Sequence, residues 1–267
     1  MGTKENKKRH IISLIGLFVI FSVIISHIVH ASEGAINGLE LAKKVFERDV
    51  GKDSKARMVM ILRRKNGRER VRQFEALALD DGTTRYSLIR FLSPKDIKGT
   101  AFLNISHEDG TTEQYLYLPA LGRARRIAGS VKKRRFVNSD FTYEDLERRS
   151  PQKDTHQIIC DDSFLGKPCW VLESIPKKGT RSQYSKIVQW ITKDGYVPVK
   201  TRLFNKKGKL AKEFIVHSME QIQGIWTVMD ATMVDLIKKR ETQVKVNQIE
   251  YNVGLSKNLF RVKAMGQ

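Results

Sequence analysis

The chain has 267 residues, 40% of them hydrophobic, and carries 49 Lys and Arg against 29 Asp and Glu, for a formal net charge of +20. That length is ample for one large core and short for two domains, and no internal repeat or low-complexity linker divides it. The excess of base calls for a polyanionic neighbour (nucleic acid, an anionic membrane surface or an acidic envelope polymer) or for a plainly solvated basic surface.

Residues 1–31 read as a targeting segment: Lys4, Lys7, Lys8 and Arg9 precede an apolar run from Ile11 to Ile28, and Val29-His30-Ala31 offers a cleavage point. Cleavage after Ala31 leaves residues 32–267 as a single β domain outside the cytoplasm, which makes nucleic acid the least suitable polyanion. The run is long enough that an uncleaved inner-membrane anchor facing the periplasm is the alternative. Ile36 to Arg48 follows as an amphipathic helix, with Ile36, Leu39, Ala42, Val45 and Phe46 on one stripe.

From Lys55 onward the period is two. Met58, Met60 and Leu62 alternate with Val59 and Ile61, and Asn66-Gly67 is a strong hairpin turn. Strands Arg68–Leu79, Arg85–Leu92 and Thr100–Ser106 lead to Tyr115-Leu116-Tyr117-Leu118, where Pro119 stops the ladder. Ser139 to Leu146 reads as a helix start, with Thr142 and Asp145 at capping-box spacing. A further meander from Thr155 to Tyr251 turns at Asp194-Gly195, Lys207-Gly208 and Gly224. Long antiparallel strands with tight turns require a closed or strongly curled sheet. The expected fold is therefore mainly β: a curled antiparallel sheet or incomplete barrel with short covering helices as a lid.

Centring the Cys160–Cys169 hairpin between Phe164 and Leu165 sets the two cysteines opposite each other, so they form either a disulfide or two buried free thiols. His107, His156 and His217 stand singly, no serine sits in a nucleophile elbow, and no glycine motif cradles phosphate. The expectation is a protein without catalytic residues, metal or cofactor. Strands apolar on both faces point either to a sheet sandwiched in core or to a hollow. In the second case Met58, Met60, Phe91, Phe102, Tyr115, Tyr117, Trp190 and Met229 are the candidate lining, with Arg123, Arg125 and Arg126 meeting an anionic head group at the mouth.

Arg90-Phe91-Leu92-Ser93-Pro94, Asp96 to Leu103, the Tyr115 strand and the Asp140 segment together resemble the outer-membrane lipoprotein-sorting family, relatives of the LolA-type periplasmic lipoprotein carriers. The resemblance runs from about Ser87 to the C-terminus. It implies a periplasmic carrier of lipid or lipoprotein acyl chains that works with an inner-membrane transporter or an outer-membrane acceptor. It also admits an accessory of a lipid or drug exporter; a basic adaptor on the anionic envelope surface is a reading from another class. LolA-type carriers hold their lid shut with an arginine on an inner strand, and no position of this sequence matches that arginine.

Overall fold

The computed structural model describes residues 36–267, so the expected targeting segment 1–31 lies outside the described residues. One helix, α1 (Gly38–Glu47), precedes six strands: β1 (Asp53–Arg63), β2 (Glu69–Asp80), β3 (Thr84–Ser93), β4 (Ala101–His107), β5 (Thr112–Leu118) and β6 (Arg123–Ile127). After a long crossing come β7 (Asp154–Phe164), β8 (Lys167–Pro176), β9 (Tyr184–Thr192) and β10 (Pro198–Asn205). The last three are β11 (Leu210–Ile222), β12 (Ile225–Asp235) and β13 (Arg240–Tyr251).

All thirteen form one antiparallel sheet in the order β6-β5-β4-β3-β2-β1-β13-β12-β11-β10-β9-β8-β7. Each half is a meander of neighbours joined by short turns, and β1 pairs with β13 to join the halves. β6 and β7 remain as the two edges, so the sheet is an incomplete barrel rather than a closed one. Gly67 supplies the left-handed backbone that the Asn66-Gly67 hairpin needs.

Asn37 and Glu40 start α1 with a reciprocal capping box: Glu40 N donates to Asn37 Oδ1 (2.9 Å) and Asn37 N to Glu40 Oε2 (3.1 Å). Leu41 and Ala42 bury against Leu172 and Ile191, whereas Leu39, expected on the buried stripe, is exposed. Gly38 accounts for that rotation. A Cβ there would stand 2.6 Å from the His156 carbonyl, so only glycine lets the helix start lie directly on β7.

Two irregular layers cover the sheet. The crossing segment 128–153 lies over one face as a lid, and the C-terminal segment 252–267 straps the other. Neighbours on β4 divide between them: Phe102 packs with the lid residues Phe136 and Tyr143, while Ala101 and Leu103 pack with Phe260 and Met265 of the strap. Lys257 Nζ to Asp81 Oδ2 (2.6 Å) and Arg90 Nη2 to the Ala264 carbonyl (3.3 Å) tie the strap down. The helix expected from Ser139 is instead a 3-10 turn, Glu144–Leu146. Its capping hydrogen bonds form as the spacing requires (Thr142 N to Asp145 Oδ2 2.7 Å, Asp145 N to Thr142 Oγ1 3.3 Å), but Glu147 returns to extended backbone and the turn stops.

The cysteines are not paired. The β7–β8 turn is centred on Leu165-Gly166, both with positive φ, one residue later than expected. That shift moves the register by two, so Cys169 faces Asp162 and Cys160 faces Val171. Cys160 is an exposed free thiol, and Cys169 a fully buried one whose pKa is raised by burial. In native protein a maleimide should therefore label Cys160 rapidly and Cys169 only after unfolding, read by mass spectrometry of the labelled peptides. Absence of free thiol in unreduced, denatured protein would restore the disulfide.

Candidate functional site: a lidded cavity

A cavity of about 590 Å³ lies between α1, the lid and strands β7 to β12, with Arg85 of β3 at its wall. Its volume falls in the usual range for a small-molecule site. Ala42, Val45 and Phe46 line it from the helix; Leu172, Ile187, Leu203, Phe214 and Met233 line it from the sheet; Phe141 closes it from the lid. The charged part of the wall holds Arg48, Arg85, Arg148 and Arg149 together with Glu144, Asp145, Glu147 and Asp154.

Buried polar contacts on several strands hold the lid over this space. Asp140 Oδ1 accepts from Arg240 Nε (2.9 Å) and Asp140 Oδ2 from Thr242 Oγ1 (2.8 Å) on β13. Asp145 accepts from Lys212 Nζ (2.8 Å) and Tyr184 Oη (2.6 Å) on β11 and β9. Burial, and then the Asp145 carboxylate, push the Tyr184 hydroxyl upward, which keeps it a donor. Glu144 accepts from Ser182 Oγ (2.5 Å) and the Gln183 amide (3.0 Å). On the other half of the sheet, Gln114 Nε2 donates to the Tyr143 carbonyl (2.8 Å).

Arg72 on β2, only 4% exposed, donates through Nη1 to the carbonyl of lid residue Val137. Arg72 thus contacts the lid from an inner strand, although nothing in its sequence surroundings singles it out. Burial lowers the pKa of its guanidinium, and Asp96 partly offsets this.

Beneath the lid on the β1–β6 side the described residues form a packed cluster. Phe136 fills that space, with ring centroids 6.0 Å from Phe91, 5.0 Å from Phe102 and 5.8 Å from Tyr143. This decides where the expected lining residues fall. Met60, Phe91 and Phe102 belong to the packed cluster around Phe136, and Met58 flanks it. Tyr115 and Tyr117 lie on the strap side with Phe260 and Met265. Trp190 packs with Cys169, Val171 and Val188, its Nε1 donating to Asp162 Oδ2 (2.7 Å) under Lys200 and Arg202. Met229 is half-buried at an irregularity of the β11–β12 ladder.

None of those eight side chains lines the cavity, and neither do Arg123, Arg125 and Arg126, which lie exposed on edge strand β6. The four cavity arginines come instead from three separated segments, Arg48, Arg85 and the pair Arg148-Arg149, so no single run of bases marks the site.

A family model described only as an uncharacterized protein matches residues 83–267. No curated protein matches the chain. Among solved structures, a domain assigned to outer membrane lipoprotein sorting from Vibrio parahaemolyticus is 33% identical, with a TM-score of 0.80 over 86% of this chain and 98% of that one. A DUF1329 family protein from Desulfovibrio piger is 32% identical at the same TM-score, over 85% of this chain and 97% of that one. A LolA superfamily protein from Nitrosomonas europaea, 16% identical, shares the fold with a TM-score of 0.65 over 85% of this chain and 98% of its own. With relatives above 30% identity matched over nearly their whole length, the chain belongs to the outer membrane lipoprotein-sorting protein family.

Proposed function

We propose that this protein is a periplasmic carrier that takes up the acyl chain of a lipid or lipoprotein in the cavity beneath its lid. The observation that carries the reading is the cavity itself: an apolar wall from α1 and β8–β12, a polar rim, and a roof held by side-chain contacts that can be broken and remade. Among the described residues no helix is long and apolar enough to cross a membrane. The site binds and releases without bond chemistry, handing its cargo between an inner-membrane transporter and an outer-membrane acceptor.

Mass spectrometry of lipids extracted from purified protein tests this directly, and intact acyl lipids are the expected result. Ile187→Trp places a larger side chain in the cavity from a half-buried position on β9. It should leave the thermal midpoint nearly unchanged and weaken uptake of a fluorescent fatty acid at least about tenfold, a loss of about 1.4 kcal/mol. Undiminished uptake by a folded variant would place the ligand elsewhere.

A further inference from the structure

We propose that the cargo is an anionic amphiphile whose acid group, a carboxylate or phosphate, sits among Arg48, Arg85 and Arg148 while its tail lies along the apolar wall. This rests on the carrier reading and specifies its ligand.

The three arginines come from three elements that meet at one end of the cavity: Arg48 from the end of α1, Arg85 from β3 and Arg148 from the lid. Two of them converge on a single atom, the Phe46 carbonyl oxygen, with Arg85 Nη1 at 3.5 Å and Arg148 Nη2 at 2.5 Å. Arg148 also stacks over the Phe46 ring, 3.4 Å from its centroid. Arg48 donates to the Trp226 carbonyl at 3.4 Å.

Of the three, Arg85 is paired with Asp80, but neither Arg48 nor Arg148 has a carboxylate partner within ion-pair distance among the described residues. The acids on the cavity wall are engaged elsewhere. Asp145 holds Lys212, Asp154 holds Arg149, Glu147 holds Lys132, and Glu144 takes Ser182 and Gln183. Asp49, beside Arg48, accepts from the Gly51 amide (2.8 Å).

Like charges brought together on this half-buried wall repel one another, and each guanidinium keeps donors that no protein acceptor uses among the described residues. Burial, and then Arg85, lower Arg148 to about 10 against the pull of Asp80 and Glu47; burial lowers Arg48, with Tyr251 and Asp49 opposing it and Arg85 adding to it. An anion placed here relieves that repulsion and accepts charge-assisted hydrogen bonds. Because Arg148 belongs to the lid, the same anion ties lid, helix and sheet together, so loading and lid closure are coupled.

The test compares dansyl-labelled undecanoic acid with its methyl ester on the full chain. The free acid should bind at least about tenfold more tightly, and its advantage should shrink with added salt. In an Arg48→Gln, Arg148→Gln variant the acid should fall to the level of the ester while the ester is unaffected. Hydrogen exchange of the lid should slow with the acid and not with the ester. Lysophosphatidic acid should displace the acid probe and inorganic phosphate should not; displacement by phosphate alone would assign the site to a free anion and overturn the amphiphile. Equal affinity of acid and ester for the unaltered chain overturns this proposal and leaves the carrier reading standing. Binding of neither removes both. The comparison on the unaltered chain decides the matter even if the double variant does not fold.

Discussion

Phe136→Ala is expected to release the lid from the β1–β6 half of the sheet at a cost of about 3–5 kcal/mol, the usual range for emptying a buried phenylalanine site. Phe136 is 1% exposed and touches three aromatic rings, so its removal also forfeits edge and tilted contacts worth about 0.5–1.5 kcal/mol per pair. The loss should be concentrated in the lid, because the strands below keep their ladder. Hydrogen exchange should then show faster exchange across residues 128–153 with β1 to β4 little changed, and fatty-acid uptake should become faster. Unaltered lid protection would mean that Phe136 only fills space.

Asp140→Ala attacks the same closure through its polar side and should cost about 3–5 kcal/mol, as breaking one partner of a buried ion pair does. Asp140 is 2% exposed and faces Arg240 at 2.9 Å, Arg135 at 3.5 Å and the Thr242 hydroxyl. Without it the two guanidinium groups confront each other, with Asp235 left to neutralise Arg240. Burial and then Arg240 already lower the pKa of Arg135. Urea denaturation measures the loss. Asp140→Asn should recover part of it through Thr242, and a loss below about 1 kcal/mol, the level of an exposed pair, would show that solvent reaches this contact.

The sheet was legible because its signals are local. Met58 and Met60 alternate with Val59 and Ile61, glycines sit at the turns after Asn66, Asp81, Asp109, Asp194 and Lys207, and Pro119 ends β5 where a missing N–H must end it. What covers the sheet was not legible. The lid and the strap are built largely from 3-10 turns, which carry neither a period of two nor a sustained helical stripe. A strand such as β4, apolar at Ala101, Phe102 and Leu103, shows from sequence that both faces are covered, and not whether packed side chains or a ligand cover them. Six of the eight expected lining residues lie on covered faces of β1 to β5, Trp190 is packed in a separate cluster and Met229 is half-buried on β12, while the hollow opens under α1. The arginines of the site escaped for the same reason. Arg48, Arg72, Arg85 and Arg148 are drawn from four segments of a chain rich in base, and only the tertiary fold brings three of them to one cavity.

The pairing of β1 with β13 also sets the order in which the molecule can assemble. Every other ladder joins strands adjacent in the sequence, but this one matches Ser54 with Tyr251 and Arg63 with Glu241, and Asp53 accepts from the Val253 amide 200 residues away. Such a contact demands closure of nearly the whole chain, so its entropic cost comes before any reward. Each meander can form from its own local turns; the central seam must wait until both are in place. Until then β1 and β13 are open edges able to pair with strands of other chains, and the incompletely folded protein is most vulnerable to aggregation in the middle of its finished sheet rather than at its rim.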